Sequence, residues 1–203
     1  MKLYDFSVAP NPRRVRIFVA EKGLNIPVQE IDLYARQSRT PEFLKKNPAG
    51  QVPLLELDDG SYLAESVAIC RYLEGLHPDP NLMGRDTREQ AFIEMWSRRM
   101  ELELFGGVDR YFQNTDPMFK GRFPQFADYA EAQRAYAVQR LTRMDGELAG
   151  REFIAADRYT IADITALVAI DLFTGLAKQP FPSGLPNVKR WHDTVSSRAS
   201  AKA

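Results

Sequence analysis

The stretch Ala-Gly-Gln-Val-Pro-Leu-Leu at positions 49–55, followed by a short hairpin and then Ala-Glu-Ser at 64–66, decides how this chain is read. A proline cannot donate to a sheet ladder, so Pro53 at the head of an apolar strand implies a sheet edge or a special turn. The Val52-Pro53 bond is also a place where a cis peptide is tolerated, and that geometry would turn the Val52 N–H and C=O toward an extended peptide backbone. Glu65 and Ser66 then open a helical pattern, which brings a carboxylate, a hydroxyl and free helix N–H groups to one spot. Such a corner suits the head of an amino acid, the acid facing its ammonium and the helix start its carboxylate. The two elements together describe a slot for a short peptide with a free amino-acid end.

Outward from this stretch, the first part of the chain alternates strands and helices. Residues 2–6 read as a strand, and 12–22 as a helix with proline near its first position and Gly23 just past its end. A second strand is expected at 28–33, a short helix at 41–46 and a third strand at 53–57. Asp59-Gly60 turns the chain into a fourth strand at 61–63, and a helix over 66–76 closes the unit. This β-α-β-α-β-β-α order predicts an α/β thioredoxin-like N-terminal domain over residues 1–77.

The proline-rich break His-Pro-Asp-Pro-Asn at 77–81 marks a linker, set at 78–86, and residues 87–203 read as an all-α helical C-terminal domain. Ile93, Trp96 and Met100 fall at helical spacing, as do Tyr129, Tyr136, Leu141, Met144 and Leu148 approximately. Residues 164–176 are almost wholly apolar, as in a helix buried on all sides. Gly106-Gly107 is expected to kink the first long helix. Thr160 and Asp163 form a variant capping box, with Tyr159 and Ile164 spaced as a hydrophobic staple, and are read as structural.

Lys plus Arg number 27 and Asp plus Glu 27, so no global field recruits nucleic acid or a membrane surface. No segment approaches the ~20 apolar residues of a spanning helix, and the first residues lack a signal-peptide pattern, which together predict a soluble cytoplasmic protein. A single cysteine agrees with a reducing compartment.

The chain resembles a cytosolic glutathione transferase. The resemblance is carried by Asn-Pro-Ala-Gly-Gln-Val-Pro-Leu-Leu at 47–55, Glu-Ser-Val-Ala-Ile-Cys-Arg-Tyr-Leu at 65–73 and Thr-Ile-Ala-Asp at 160–163, in the family's order and spacing. It implies glutathione as co-substrate, a small hydrophobic electrophile as second substrate, no metal, and a homodimer to which the 98–101 segment would contribute. By the resemblance Val52 pairs with the cysteinyl backbone of glutathione beside Pro53, Glu65 and Ser66 hold its γ-glutamyl end, and Gln51 reaches the same peptide. Ser38 and Arg39 are the candidates for its glycine carboxylate, with a solvated polar loop as the plain alternative.

The thiol must come from the substrate, because the first helix opens Ala-Pro-Asn-Pro-Arg-Arg at 9–14, without the Cys-x-x-Cys of a dithiol oxidoreductase. Cys70, in the middle of a later helix, reads as a core residue. A free thiol titrates near ~8.5, so the enzyme must stabilise the thiolate by hydrogen bonds and a helix N-terminus. The hydroxyl that most of the family places near this helix start falls on Ala9. Four activators remain open: the Asn11 amide, the Ser7 hydroxyl, the Tyr4 hydroxyl, or backbone N–H groups at Asn11 with a bound water. The last resembles an atypical fungal and bacterial branch lacking the usual Tyr, Ser or Cys, and there Gln113 or Asn114 would orient the water. The electrophile is expected against apolar walls drawn from Val8, Phe105, Tyr111, Phe112, Met118, Phe119 and Phe123, beside Gln113 and Asn114, with the 119–126 loop as a cover. His77 and His192 are assigned no catalytic role. The rival class is a non-catalytic glutathione-binding or scaffold protein of the same fold, which the loss of a hydroxyl at position 9 would favour.

Overall fold

Strand β1 (Lys2–Asp5) lies inside a four-stranded sheet in the order β2-β1-β3-β4, with β2 (Val28–Glu30), β3 (Leu54–Glu56) and β4 (Tyr62–Ala64). It runs parallel to β2 and antiparallel to β3, and β3 is antiparallel to β4. The computed structural model describes residues 1–203. The chain divides into a first unit, Met1–Asn81 with Lys202–Ala203, and a second, Leu82–Ala201. The first is the thioredoxin-like domain and the second is all-helical, as the sequence order predicts.

Pro53 does not mark a sheet edge. Strand β3 is flanked by β1 and β4, and its ladder begins at Leu54, opposite Tyr4 on one side and Ala64 on the other. The proline instead closes the special turn that was the other expectation, and the Val52-Pro53 peptide is cis. Asn47 builds that turn: its Nδ2 donates to the Gln51 carbonyl at 2.8 Å, and its Oδ1 accepts from the Ala49 N–H at 3.1 Å. Gly50 sits at φ +61, and a Cβ there would lie 2.8 Å from Arg39 Nη1 and 2.9 Å from the Ser38 carbonyl. Glycine is required by both the left-handed backbone and the close approach.

Helix α1 spans Pro10–Glu21 and begins two residues before the expected start. Both Pro10 and Pro12 fit inside its first turn, where the missing N–H groups would have had no helical partner anyway. Asn11 is therefore the second residue of the helix, and Ala9 holds the cap position. Helix α2 (Pro41–Lys46) and helix α3 (Ser66–Leu76) have the expected limits. Leu3, Val15, Ile17, Phe18, Leu55, Ile69 and Leu73 are buried, each apolar side chain contributing about 1.5–3 kcal/mol of transfer free energy. Lys22 ends the α1 stripe inside the protein: its Nζ pairs with Glu74 at 2.5 Å and donates to the carbonyls of His77 (2.7 Å) and Pro80 (2.6 Å). A single lysine side chain thus fastens the chain that leaves α3.

The division between units falls at Asn81–Leu82, inside the segment read as linker. Leu82 and Met83 are buried, and the Leu82 carbonyl accepts from the Ile161 N–H at 3.0 Å. Helix α4 (Thr87–Arg99) passes through a π-helical turn at Met100–Phe105 into helix α5 (Gly106–Thr115). The glycine pair does not break this path. A Cβ on Gly107 would stand 3.3 Å from the Tyr136 ring and 3.6 Å from Ala137 Cβ, so its role is the close approach of helix α6 (Ala127–Glu147). The buried stripe of α6 accordingly runs through Ala130, Ala137, Leu141 and Met144, while Tyr129 and Tyr136 are 44% and 43% exposed. The two tyrosines expected on the stripe stand one residue off it, because small side chains are what the contact with α5 admits.

Helix α7 (Ile161–Asp171) is buried at every position from Ile161 through Ile170, and helix α8 (Pro186–Ser196) packs Trp191 against it. Asp163 joins these parts: its Oδ1 accepts from the Ile154 N–H and Trp191 Nε1, both at 2.9 Å, and its Oδ2 from the Thr160 N–H and hydroxyl, both at 3.0 Å. Burial pushes its carboxyl up to about 6, against the pull of these four donors. The capping box is present and serves the fold. Replacement Asp163→Ala would leave buried donors without an acceptor, and we expect a loss of about 3 kcal/mol or more, read as a lowered midpoint in denaturant with the same slope.

Candidate functional site

In the first unit, helices α1 and α3 lack side-chain caps, whereas α2 is capped by Thr40, whose Oγ1 accepts from the Phe43 N–H at 3.3 Å. An uncapped helix start presents N–H donors and a partial positive charge, the usual setting for an anion. At α1 the two prolines reduce the supply. The Ala9 N–H is taken by the Phe6 carbonyl at 2.8 Å, Pro10 and Pro12 carry no N–H, and the Arg13 N–H goes to the Ala9 carbonyl at 3.2 Å. The backbone N–H of Asn11 is the donor that remains.

The Asn11 side chain has a fixed orientation. Its Oδ1 accepts from Nη1 of Arg14 at 2.7 Å, and a guanidinium has only donors, so the carboxamide must place its oxygen there and its Nδ2 away. Asn11 thus offers a backbone N–H and two side-chain N–H groups from one residue. The same Arg14 Nη1 donates to Ser66 Oγ at 2.6 Å. Since the Ser66 oxygen accepts from arginine, its own hydrogen is directed elsewhere, as a donor at the start of α3. Arg14 is fully buried and Ser66 nearly so.

Glu65, at the cap position of α3, is exposed and held at φ +67, a conformation rarely adopted by residues with a side chain. Strain of this kind gathers at ligand clamps. Neither the N–H nor the C=O of Val52 is engaged by another backbone group. Gln51 beside it is exposed. Ser38 is buried in a short 3₁₀ turn, and Arg39 lies along the 49–50 turn, donating from Nη1 to the Ala49 carbonyl at 3.1 Å. Asn11, Ser66, Glu65, Gln51, Val52, Pro53, Ser38 and Arg39 therefore all belong to the first unit. Direct bonds join Asn11 to Ser66 through Arg14, and Arg39 to the turn that precedes Val52.

Other expected residues are engaged elsewhere. The Ser7 hydroxyl donates to Glu30 Oε1 at 3.0 Å and its N–H to the same oxygen at 3.0 Å, so its proton already faces a carboxylate. The Tyr4 hydroxyl donates to Glu56 Oε2 at 2.5 Å, at the far end of β3 from Val52. Its buried ring meets Phe43 edge-on, which fits the packing role. Cys70 is fully buried, and burial pushes its thiol up to about 12, so it stays protonated.

Within the second unit, Phe105 and Phe112 are core residues, while Tyr111 accepts at its hydroxyl from Gln179 Nε2 at 2.8 Å. Gln113 Nε2 donates to Asp109 at 2.6 Å, and Asn114 is held between the Arg110 carbonyl (2.8 Å) and the Phe126 N–H (3.0 Å). Each amide keeps a second N–H and acceptor capacity beyond these bonds. The loop expected as a cover is tied to α5 by ring contacts, Phe112 edge-on to Phe119 at 5.5 Å and Phe119 tilted against Phe123 at 5.7 Å, and by Gln125 Nε2 donating to the Gln113 and Asp116 carbonyls. Val8 is 48% exposed in the first unit. In the 98–101 segment Arg98 pairs with Glu94 and Glu101, and Arg99 lies 4.8 Å over the Trp96 ring.

Sequence reading missed Arg14, Asn47 and Gln179. Arg14 had a visible signal, because a cation one turn before Phe18 on an apolar stripe with Val15 is out of place on a buried face.

The N-terminal domain family of glutathione S-transferases matches residues 8–76, and the C-terminal domain family of the same enzymes matches residues 109–199. A curated relative, glutathione S-transferase 2 of Saccharomyces cerevisiae, is 35% identical over 206 residues, covering 100% of this chain and 88% of that protein. The crystal structure of Gtt2 from Saccharomyces cerevisiae superposes with a TM-score of 0.92 at 34% identity, covering 100% of this chain and 99% of that one. A probable elongation factor 1-gamma of Arabidopsis thaliana is 33% identical over 174 residues, 85% of this chain and 41% of that longer protein. Gly50→Ala should destabilise the protein by about 1–3 kcal/mol through strain at φ +61 and contact with Arg39, and a thermal melt equal to the parent's would refute the close approach described for this turn.

Proposed function

The chain belongs to the glutathione S-transferase family, and from that premise we propose that it ionises bound glutathione and transfers the thiolate to small hydrophobic electrophiles. The observation that carries this reading is the coincidence, in one unit, of an unpaired Val52 backbone with two helix starts that no side chain caps. The α3 start, with the Ser66 hydroxyl and the Glu65 carboxylate, matches the zwitterionic γ-glutamyl head. The Val52 amide matches the cysteinyl backbone, with Gln51 beside it and Pro53 shaping the turn. Ser38 and Arg39 match the glycine carboxylate, the arginine supplying the cation.

In this reading the activating group is Asn11. Its backbone N–H and Nδ2 donate to sulfur, which favours S⁻ over SH and moves the thiol below its ordinary value near ~8.5. The proton leaves to solvent on binding. The thiolate then forms a bond to the electrophilic carbon as the leaving group departs with its electron pair, and positioning supplies much of the rate. Peroxide reduction and dehalogenation draw on the same thiolate. A homodimer in the cytoplasm, with no metal and no nucleic-acid or membrane partner, completes the proposal. No helix is long and apolar enough to cross a membrane.

A glutathione-binding protein without transfer activity is the second reading. It is favoured by Ala9 in place of a hydroxyl and by the likeness to a probable elongation factor 1-gamma. Retention on glutathione-agarose together with turnover of an aryl halide supports the transferase; retention without turnover supports the binder, and absence of both removes the peptide slot. Glu65→Ala and Ser66→Ala should each weaken glutathione binding by about tenfold or more, since a hydrogen bond to a charged group is worth about 1.5–3 kcal/mol. Asn11→Ala should shift the thiolate absorbance titration of the bound tripeptide upward by about one pH unit, moving the rising limb of activity to higher pH. An unmoved titration would exclude Asn11 as the donor.

A further inference from the structure

We infer that Arg14 is a positioning residue that couples the two ends of the glutathione slot, setting the thiolate donor through Asn11 and the γ-glutamyl donor through Ser66. This inference rests on the proposed function. A single nitrogen, Nη1, donates to Asn11 Oδ1 at 2.7 Å and to Ser66 Oγ at 2.6 Å, across 52 residues of sequence and between the first turns of α1 and α3. Both acceptors are side chains whose useful face is a donor. By occupying their oxygens, the guanidinium leaves Nδ2 of Asn11 and the hydrogen of Ser66 to point elsewhere, and it fixes an amide orientation that would otherwise be two-fold ambiguous.

The charge adds to the orientation. Arg14 is wholly buried, so its field is poorly screened, and it polarises both N–H and O–H donors toward greater strength. The nearby titratable groups on α3 are Cys70 and Glu74. Cys70 feels the charges of both Arg14 and Glu74, yet it stays a neutral thiol because burial dominates, and it does not cancel the guanidinium. Glu74 in turn is paired with Lys22 Nζ at 2.5 Å. Both ligand sites are anionic, a thiolate at α1 and a carboxylate at α3, and a cation joining their donors makes occupation of one favour the arrangement needed by the other.

The test compares wild type, Arg14→Met and Arg14→Lys by the thiolate absorbance titration of bound glutathione and by calorimetric affinity for glutathione. Arg14→Met should raise the bound thiol's titration by about one pH unit, about a tenfold loss of thiolate below that pH, and weaken binding about tenfold. Arg14→Lys should restore part of both, since one ammonium nitrogen also carries enough hydrogens for two acceptors. A folded Arg14→Met protein that titrates and binds as wild type overturns the inference while leaving the transferase reading intact.

If Arg14→Met does not fold, Ser66→Ala with Arg14 in place decides. Loss of its second acceptor should move the thiol titration, although Ser66 serves the opposite end of the tripeptide. Asn11→Ala combined with Ser66→Ala should then be non-additive. Additive effects with no titration shift in Ser66→Ala overturn the inference. Wild-type protein that does not bind glutathione overturns both the inference and the proposed function.

Discussion

A guanidinium without solvent must find acceptors, and the first unit is arranged around that demand. Arg14 lies fully buried between α1 and α3, and a desolvated charge is tolerable only when it is hydrogen-bonded. Two of its acceptors are the side chains at the starts of those helices, Asn11 and Ser66. These two bonds tie the first turns of both helices to one nitrogen, Nη1. Pro10 and Pro12 then leave Asn11 as the one free backbone donor at the mouth of α1. At the other end of α1, Lys22 repeats the device on the same stripe, pairing with Glu74 and donating to the chain beyond α3. Two buried cations, one at each end, hold α1 against α3.

The second unit depends on the opposite kind of centre, a buried anion. Asp163 takes four donors from three parts of the chain, so the start of α7, the segment before it and Trp191 of α8 are located by one carboxylate. Around it the packing is apolar, and the contact of α5 with α6 is set by Gly107 and Ala137. Larger groups would separate those helices. The π-helical turn at Met100–Phe105 carries α4 into α5 without a break, which is why the glycine pair reads as a kink in sequence yet behaves as a contact surface in the fold.

The turn and the helix start of the candidate site were legible because they rest on local signals. Val52 and Pro53 announce a turn that a ladder cannot use, and Glu65 with Ser66 precedes an apolar stripe, as a helix start must. The limits of α2 and α3 follow from proline and capping chemistry alone. Pro53 was read as either edge or turn, and the choice needed the strand order, which no single strand contains. Ser7 and Asn11 looked comparable as hydroxyl and amide donors. Glu30, far along the chain, accepts the hydrogen bond of one, and Arg14 directs the amide of the other.

Residue order by itself determined the two-part architecture, the α/β succession of the first unit, the turn at 47–55 and the helix start at 65–66, because those depend on periodicity, turn chemistry and helix starts within a few residues of one another. Tertiary structure alone decided which donors are free and which are already engaged. A hydrogen bond between Arg14 and Ser66, or between Asp163 and Trp191, joins residues 52 and 28 positions apart, and such pairings exist only after the apolar faces of α1, α3, α7 and α8 have been buried.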